Sequence, residues 1–359
     1  MPPATTVRHM ELHLEGLIAP GFEAVAEAFA ADPRGGSALT VLHHGDPVID
    51  IYEGWRDAAH TVPWDANTLV NIYSVGKPII ASALMLLEQR GLIALSAPTA
   101  TYWPSFQTNA SVRDVLSHRA ALPAFPLARP KEAWADWDQL CADLAAATPE
   151  WEPGTVAAEH ALTYGHLTGE LIRQVDGRPP HVFVADEIAR PLNLDLAFAL
   201  SDEDVARCAE LEFDTPDRPT QLLGTPGSLH ARAVSNPPGA RDLAVLNSPL
   251  WRQSSIPAVN FHATAPALAH FYEATRTGRL PSLAIPQYTG PDLFIEQDIT
   301  WGLGVQIEPD GTWGHGGLGG NAAWHDPARN LSVAYTTRRL GDFTEVERIE
   351  EALHKTLKP

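Results

Sequence analysis

A serine and a lysine stand three residues apart in the stretch NIYSVGKPIIASALMLL, which runs from Asn71 to Leu87. Apolar residues recur there with the spacing of a buried helix, and charged side chains are rarely buried without a partner. If Ser74 lies in the first turn of that helix, the side chain of Lys77 lies on the same face and can reach it. A lysine desolvated among apolar side chains has a lowered pKa and can take the proton of a serine hydroxyl. The pair therefore predicts a Ser74 nucleophile with Lys77 as its base.

The spacing of this pair has a second interpretation. A serine at the start of a helix commonly caps it, and a lysine on an apolar helix can extend its chain to reach solvent. A four-residue S-x-x-K pattern is weak evidence for chemistry when it stands alone. Lysine is nevertheless scarce in this chain, in which nearly all cationic side chains are arginine; the lysines are Lys77, Lys131, Lys355 and Lys358.

A tyrosine follows in the stretch HALTYGHLTGEL, which comes shortly after the turn WEPGT. Close to a lysine ammonium, the phenol pKa of Tyr164 is expected to fall, so that it can move a proton between the serine and a leaving group. The alternative is a packed aromatic ring whose hydroxyl has found a hydrogen-bond partner. Tyr164 is therefore a candidate proton shuttle.

A glycine-rich stretch, GTWGHGGLGG, extends from Gly311 to Gly320. Glycines in a strand let the backbone come close to a ligand, so this segment is a candidate wall for a cleft. It also matches G-x-G-x-x-G, but the next residues alternate like a strand and open no helix. Because a dinucleotide-binding motif requires a helix at this point, we reject a dinucleotide site here.

The elements that position these residues are visible in the pattern of the chain. A helix is predicted from residue 74 to about 95, and GSALTVLHHGDPVIDIYEGW predicts a hairpin that turns at His44-Gly45-Asp46-Pro47. Strands recur near the end, before an amphipathic closing helix, and the middle is mostly helical. We therefore predict one antiparallel sheet built from both ends, with residues 1–95 and 255–359 in a sheet lobe and 96–254 in a helical lobe.

Composition narrows the function classes. A formal charge of −19 without a basic stripe disfavours nucleic acid and anionic lipid surfaces. No apolar stretch is long enough to cross a membrane, and the N-terminus does not have the pattern of a secretory signal. Cys141 and Cys208 are far apart in sequence and predict neither a disulfide framework nor a thiolate metal site. We expect a cytoplasmic enzyme that needs no metal or cofactor, and the oligomeric state stays open.

Together the motifs SVGK, WEPGT with YGH, and HGG resemble, in order and approximate spacing, the three motifs of class C β-lactamase-like serine hydrolases. The resemblance spans most of the chain. Further stretches are similar to the family's esterase branch, namely VRDVLSHRAALP, HALTYGHLTGELIRQVDGRP, PLNLDLAFAL and HATAPALAHFYEATRTG.

The resemblance implies an α/β protein of the α+β type with the β-lactamase/transpeptidase-like fold, an antiparallel sheet flanked by helices and an inserted helical lobe. The active site would lie between the two lobes. Ser74 would be the nucleophile, Lys77 its base and Tyr164 the proton shuttle. The oxyanion hole would consist of the backbone N–H groups of Ser74 and Leu318.

Three departures from the family pattern bear on the substrate. His166 replaces the Asn of Tyr-x-Asn, His315-Gly316-Gly317 replaces Lys-Thr-Gly, and Ala121 replaces the Gly of Leu-x-His-x-x-Gly-Leu. These changes leave the nucleophile and base intact but alter the residues that would contact a β-lactam. The predicted substrate-binding residues are Tyr73, His166, His315, Gly316 and Gly317.

Three functions remain open on sequence. The first is a serine hydrolase of small carboxylic esters that works through an acyl-enzyme. The second is an acyltransferase that passes the same acyl group to an amine or alcohol, since both share the acylation machinery. The third is a β-lactamase or peptidase. A catalytically idle binding protein is the alternative to all three enzymes. The retained Ser74, Lys77 and Tyr164 argue against the idle protein.

Overall fold

The computed structural model describes residues 5–6, 14–32 and 35–357 of the 359-residue chain. Within these ranges the α-helices are α1 Glu23–Ala30, α2 Lys77–Gln89, α3 Val112–Leu116, α4 Trp137–Ala145, α5 Tyr164–Asp176, α6 Pro180–Val184, α7 Arg190–Leu192, α8 Asp202–Ala206, α9 Arg218–Gln221, α10 Leu229–Ala233, α11 Leu243–Leu246, α12 Pro249–Arg252, α13 Ala265–Arg276 and α14 Thr344–Thr356. Short 3₁₀ turns span Tyr73–Gly76, Thr99–Thr101 and Lys131–Ala135, and a π turn spans Ala185–Ala189.

The strands of the same ranges are β1 Thr5–Thr6, β2 Glu15–Ile18, β3 Gly36–His43, β4 Asp46–Gly54, β5 Val70–Asn71, β6 Leu196–Ala197, β7 Glu212–Phe213, β8 His262–Ala263, β9 Tyr288–Asp292, β10 Gln297–Trp301, β11 Gln306–Ile307, β12 Trp313–Gly317, β13 Asn321–Asp326, β14 Leu331–Thr337 and β15 Arg339–Leu340.

Ten of these strands form one antiparallel sheet in the order β1-β2-β4-β3-β14-β13-β12-β11-β10-β9. β3 from the beginning of the chain pairs with β14 from its end, so that the sheet is completed by both ends as the sequence predicted. The hairpin between β3 and β4 is confirmed: His44 and Gly45 both have positive φ, at 55° and 88°, as a two-residue turn of this kind requires.

Helices cover both faces of this sheet. α1 and α14 pack against one face, where Val41, Ile49 and Val333 meet Phe29 and Ile349 in a fully buried cluster. α13 packs on the other face, against β3 and β14, within the larger core that also contains α2 and α5. The predicted closing helix is confirmed as α14. The assignment of residues 96–254 to a separate lobe stays a prediction.

The predicted helix from residue 74 to about 95 is shorter than expected. Its first three residues belong to the 3₁₀ turn Tyr73–Gly76, and regular α-helix begins at Lys77, with Pro78 in the first turn where its missing N–H costs nothing. The helix ends at Gln89 because Gly91, with φ of 70°, turns the chain in a left-handed conformation.

Candidate active site

The 3₁₀ turn that carries Ser74 is held in a strained conformation. Tyr73 has a φ of 49°, which a bulky side chain adopts only when its surroundings enforce it. The buried ring of Tyr73 donates its hydroxyl hydrogen to the carbonyl oxygen of Ala240 at 3.3 Å. One residue earlier, the backbone N–H of Ile72 donates to the carbonyl oxygen of Phe261 at 2.9 Å. These contacts fix the position of Ser74 just before α2.

Lys77 lies between a hydroxyl and a carboxylate. Its Nζ is 2.5 Å from Ser74 Oγ and 3.0 Å from Glu159 Oε1, and its side chain is completely buried. Burial lowers the pKa of the Lys77 ammonium, and the Glu159 carboxylate opposes part of this fall. The predicted contact between Ser74 and Lys77 is therefore present, and Lys77 is not a surface lysine.

Glu159 was not recognised from the sequence. Burial acting alone would raise the pKa of its carboxyl group, but the nearby Lys77 and His315 hold it below the ordinary value. The available signal was an isolated acid in the apolar run VAAEHAL, because an acid in such a run needs a charged or hydrogen-bonding partner just as Lys77 does. Lys77 is that partner.

The backbone around Glu159 is fixed by two side chains from other parts of the chain. Its N–H donates to Asp292 Oδ1 at 3.1 Å. The N–H of His160 donates to His118 Nδ1 at 3.0 Å, and the N–H of Ala158 donates to the carbonyl oxygen of His118 at 3.0 Å. His118 belongs to the stretch VRDVLSHRAALP, so this motif supports the residue opposite Lys77.

Tyr164, the predicted proton shuttle, is a core residue. It begins α5 with its ring completely buried against His118, and its hydroxyl donates to the carbonyl oxygen of Leu116 at 3.3 Å. It is absent from the lining of the cavity that contains Ser74. The expected fall in its phenol pKa is wrong, because burial raises that pKa. Glu159, five residues earlier, occupies the place beside Lys77 that was predicted for Tyr164.

His166 is likewise a core residue, and its predicted contact with substrate is wrong. The imidazole is completely buried, stacks on Trp137 at 4.7 Å between ring centroids, and meets Phe125 edge to face. Burial lowers its pKa to about 3. His166 is the third residue of α5, in the buried first half of that helix. The three-residue motif alone could not reveal that this part of the helix lies in the core.

The glycine-rich strand β12 forms another wall of the cavity, as predicted. A Cβ on Gly317 would lie 2.4 Å from the carbonyl oxygen of Ile72, so only glycine lets β12 approach the turn that carries Ser74 so closely. His315, Gly316, Gly317 and Leu318 all line the cavity. The oxyanion hole formed by the N–H groups of Ser74 and Leu318 stays a prediction.

His315 is uncharged at neutral pH. Burial lowers its pKa to about 4, against an opposing effect of Glu159. A hydrogen bond of 2.7 Å joins its Nδ1 to the carbonyl oxygen of Gly316, which makes Nδ1 the protonated nitrogen. Nε2 is buried and has no hydrogen-bond partner in the part of the chain that the structure describes. His315 therefore offers an acceptor rather than a positive charge.

The cavity has a volume of about 470 Å³ and contains Tyr73, Ser74 and Glu159. Nine of the other lining residues have apolar side chains: Ala161, Leu162, Leu222, Val234, Ala240, Val259, Phe294, Leu318 and Phe343. A neighbouring cavity of about 480 Å³ shares His315 and Gly316 but does not include Ser74. The first cavity is therefore the one that places a substrate against the Ser74 hydroxyl.

Comparison with known proteins agrees with this geometry. The family model described as beta-lactamase matches residues 22–357. The chain belongs to the beta-lactamase family. Over 90% of its length it is 32% identical to the esterase/beta-lactamase LipL of Mycobacterium tuberculosis, of which the match covers 83%.

Similar solved structures extend the comparison to the fold. A family VIII carboxylesterase is 27% identical, with a TM-score of 0.86 over 96% of this chain and all of that one. A penicillin-binding protein homologue from Caulobacter crescentus is 30% identical, with a TM-score of 0.83 over the same shares. The predicted family and β-lactamase/transpeptidase-like fold are confirmed, and the chain is an enzyme of this family.

No helix in residues 14–32 and 35–357 is both long and apolar enough to cross a membrane. No cluster of three or more His, Cys, Asp or Glu side chains in the same residues is arranged to hold a metal ion.

Proposed function

We propose that this enzyme hydrolyses small carboxylic esters through an acyl-enzyme formed on Ser74. The observation that carries the proposal is the 2.5 Å contact between Ser74 Oγ and the buried Nζ of Lys77 at the edge of a largely apolar cavity. A hydroxyl in contact with a desolvated amine is an activated nucleophile. The esterase relatives LipL and the family VIII carboxylesterase support the same reaction class.

The proposed reaction needs one base that works twice. The neutral Lys77 amine takes the Ser74 proton as Oγ bonds to the ester carbonyl carbon, and the resulting ammonium then gives that proton to the departing alkoxide. Water attacks the acyl-enzyme in the second half, with Lys77 again accepting a proton and returning one to Ser74 Oγ. Ester and water become acid and alcohol. The N–H groups of Ser74 and Leu318 would stabilise the negative oxygen in both halves.

Glu159 is proposed as a positioning residue rather than a catalytic residue, because it acts through Lys77. Its carboxylate, 3.0 Å from Nζ, fixes the direction of the Lys77 side chain and stabilises the ammonium that forms during proton transfer. This assignment replaces a tyrosine shuttle with a carboxylate. Tyr164 contributes packing around the site instead.

The finer aspects of substrate and location follow from composition and charge. The neutral His315 offers no cation to a β-lactam carboxylate, so esters are the proposed substrates. Cys141 and Cys208 are both free and buried, which fits the proposed cytoplasmic location. If residues 96–254 form the helical lobe as proposed, the cavity lies between that lobe and the sheet lobe that contains β12.

Labelling with a fluorophosphonate probe tests the proposed function, because it measures activation of one hydroxyl whatever the substrate. Peptide mass analysis of the wild-type protein is expected to find the adduct on Ser74, and none in Ser74→Ala or Lys77→Ala. Ser282→Ala, at an exposed serine, is the matched control and is expected to label normally. A wild-type protein that carries no adduct on Ser74 contradicts the proposal. Adding an alcohol or amine acceptor to an ester assay then separates hydrolysis from acyl transfer.

A further inference from the structure

The cavity beside Ser74 contains an arginine that the proposed reaction does not use. Arg241 lines the cavity directly after Ala240, whose carbonyl oxygen accepts the Tyr73 hydroxyl at 3.3 Å. This hydrogen bond ties the segment that carries Arg241 to the turn that carries Ser74. The backbone that carries Arg241 is therefore held at a fixed place relative to the nucleophile.

Arg241 lacks a carboxylate partner within residues 14–32 and 35–357. Its recorded hydrogen bonds are long and go to neutral groups, the Pro219 carbonyl oxygen at 3.4 Å and Ser235 Oγ at 3.2 Å. Its Nε is buried without any hydrogen bond in those ranges. Burial lowers the pKa of the guanidinium, against a small opposing effect of Tyr73. A partly buried cation with such weak contacts destabilises the protein unless a bound anion forms an ion pair with it.

A second arginine in the same cavity shows the contrast. Arg218 forms an ion pair with Asp214 at 2.5 Å and lies 3.6 Å from a carboxylate oxygen of Asp342. The charge of Arg218 is thus already balanced by the protein. Only Arg241 of these two presents a guanidinium to the cavity with its hydrogen-bonding capacity largely unused.

We propose that Arg241 binds a free carboxylate on the substrate, so that the preferred esters carry a carboxylate in addition to the ester bond. A guanidinium fork matches the two oxygens of a carboxylate. Glu159 and Asp342 line the same cavity, and their charges disfavour a dianion such as a phosphate monoester. The inference rests on the proposed esterase function and names its substrate class.

Two matched pairs of esters test the proposal. Mono-p-nitrophenyl adipate and p-nitrophenyl hexanoate differ by a carboxylate on the acyl side; 4-acetoxybenzoate and its methyl ester differ by one on the alcohol side. The wild-type enzyme is expected to show a higher kcat/KM for the charged member of at least one pair. In Arg241→Gln that preference is expected to fall by about tenfold to a hundredfold, as for a lost hydrogen bond between charged groups.

Two further variants define the control. Arg241→Lys keeps the charge without the fork and is expected to retain part of the preference. Arg279→Gln removes the same charge from an exposed position away from the cavity and is expected to keep all of it. If both pairs give the same ratio in the wild type and in Arg241→Gln, the carboxylate site is overturned.

The two proposals fail in different ways. Neither ester of either pair should be turned over by Ser74→Ala, and a wild-type enzyme that hydrolyses none of the four esters contradicts the esterase function itself. A wild-type enzyme that hydrolyses the esters but shows no preference for the charged member of either pair overturns only the role of Arg241. If Arg241→Gln does not fold, inhibition of the wild-type enzyme with the hexanoate ester as substrate decides. Adipamate, which carries one carboxylate, is expected to inhibit at much lower concentration than adipamide, and equal inhibition overturns the site.

Discussion

At the scale of single residues, the site explains why a lysine begins an apolar helix. Removing Lys77 from water disfavours its charged form, and this is the property a base for serine needs. Burial alone would leave the ammonium that forms during the proposed reaction without a partner, and the Glu159 carboxylate supplies that partner. Ser74, Lys77 and Glu159 therefore form one functional unit with its charges balanced inside the protein.

Replacing the proposed base tests this unit directly. Lys77→Ala is expected to lower kcat for a p-nitrophenyl ester by about 10² to 10⁴-fold, the usual effect of losing a positioned base. The variant is expected to fold but to be less stable than the wild type, because the buried Glu159 carboxylate loses its partner and must bind a proton. Circular dichroism establishes folding and steady-state kinetics measure kcat. Turnover like that of the wild type in a folded Lys77→Ala protein is incompatible with the assignment.

The pH dependence tests the role of Glu159. Because the proposed reaction needs neutral Lys77, kcat/KM is expected to rise as pH rises through the pKa of Lys77. The Glu159 carboxylate raises that pKa, whereas burial lowers it. Glu159→Gln leaves burial unopposed, so the rise is expected at lower pH than in the wild type.

The matched control for this variant is Glu132→Gln, which changes an exposed acid far from the cavity and is expected to leave the profile in place. A pH profile of Glu159→Gln that coincides with the wild-type profile would show that the carboxylate does not act on Lys77. A merely structural role of Glu159 predicts a loss of stability without such a displacement.

Tyr164→Phe separates the two candidates for the position beside Lys77. The Tyr164 hydroxyl has one hydrogen bond within residues 14–32 and 35–357, to the Leu116 carbonyl oxygen. We therefore expect kcat to change little, while the free energy of unfolding falls by about 0.5–1.5 kcal/mol. Chemical denaturation and ester kinetics measure the two effects. A large fall in kcat with unchanged stability would restore Tyr164 as the proton shuttle.

Sequence reasoning found the residues whose partners are local and missed those whose partners are distant. Ser74 and Lys77 are three residues apart on one helix end, so their contact follows from helix geometry. The contact between Lys77 and Glu159 joins two segments far apart in sequence. Recognising Glu159 rather than Tyr164 as the partner of Lys77 required the direction of each side chain, and that direction depends on how α5 packs.

At the scale of elements, the loop after α3 is the support of the site. His118 has a φ of 60° and Ala121 a φ of 57°, and between them they place His118 against the Glu159 segment. The backbone N–H of Leu122 also donates to His160 Nε2 at 3.3 Å. The departure noted at Ala121 therefore falls where the backbone conformation favours glycine.

Ala121→Gly is expected to raise the free energy of unfolding by up to about 1 kcal/mol, because relief of the left-handed strain outweighs the added chain entropy. Ala142→Gly, at an exposed position inside α4, is the control and is expected to lower it by about 1 kcal/mol. Urea denaturation measures both. A destabilised Ala121→Gly protein would show that the Ala121 methyl group stabilises the loop by packing.

At the scale of the whole molecule, the sheet order could be predicted only in part. Alternating patterns at both ends of the chain and a hairpin turn indicated a sheet closed by β3 and β14. The short pairings β5-β8-β6 and β15-β7 were not predicted, because two-residue strands leave no periodicity to detect. Several lining residues, Arg218, Arg241 and Val259 among them, lie in the chain between these short strands, so the lining was not visible in the sequence.

Substrate preference is a property of the whole cavity, and it gives the last prediction. His315 stands where the lysine of the third motif stands in the β-lactamases that the sequence resembles. Because burial lowers the pKa of His315 to about 4, its imidazole is uncharged at pH 6 and at pH 8 alike. Small esters such as p-nitrophenyl butyrate are therefore expected to have a much higher kcat/KM than a chromogenic cephalosporin at both pH values. Both rates are expected to increase together with pH, as Lys77 loses its proton. Equal or faster cephalosporin turnover at both pH values would contradict the esterase preference. If that cephalosporin turnover were then lost in Arg241→Gln, Arg241 would be identified as the cation that replaces the missing lysine.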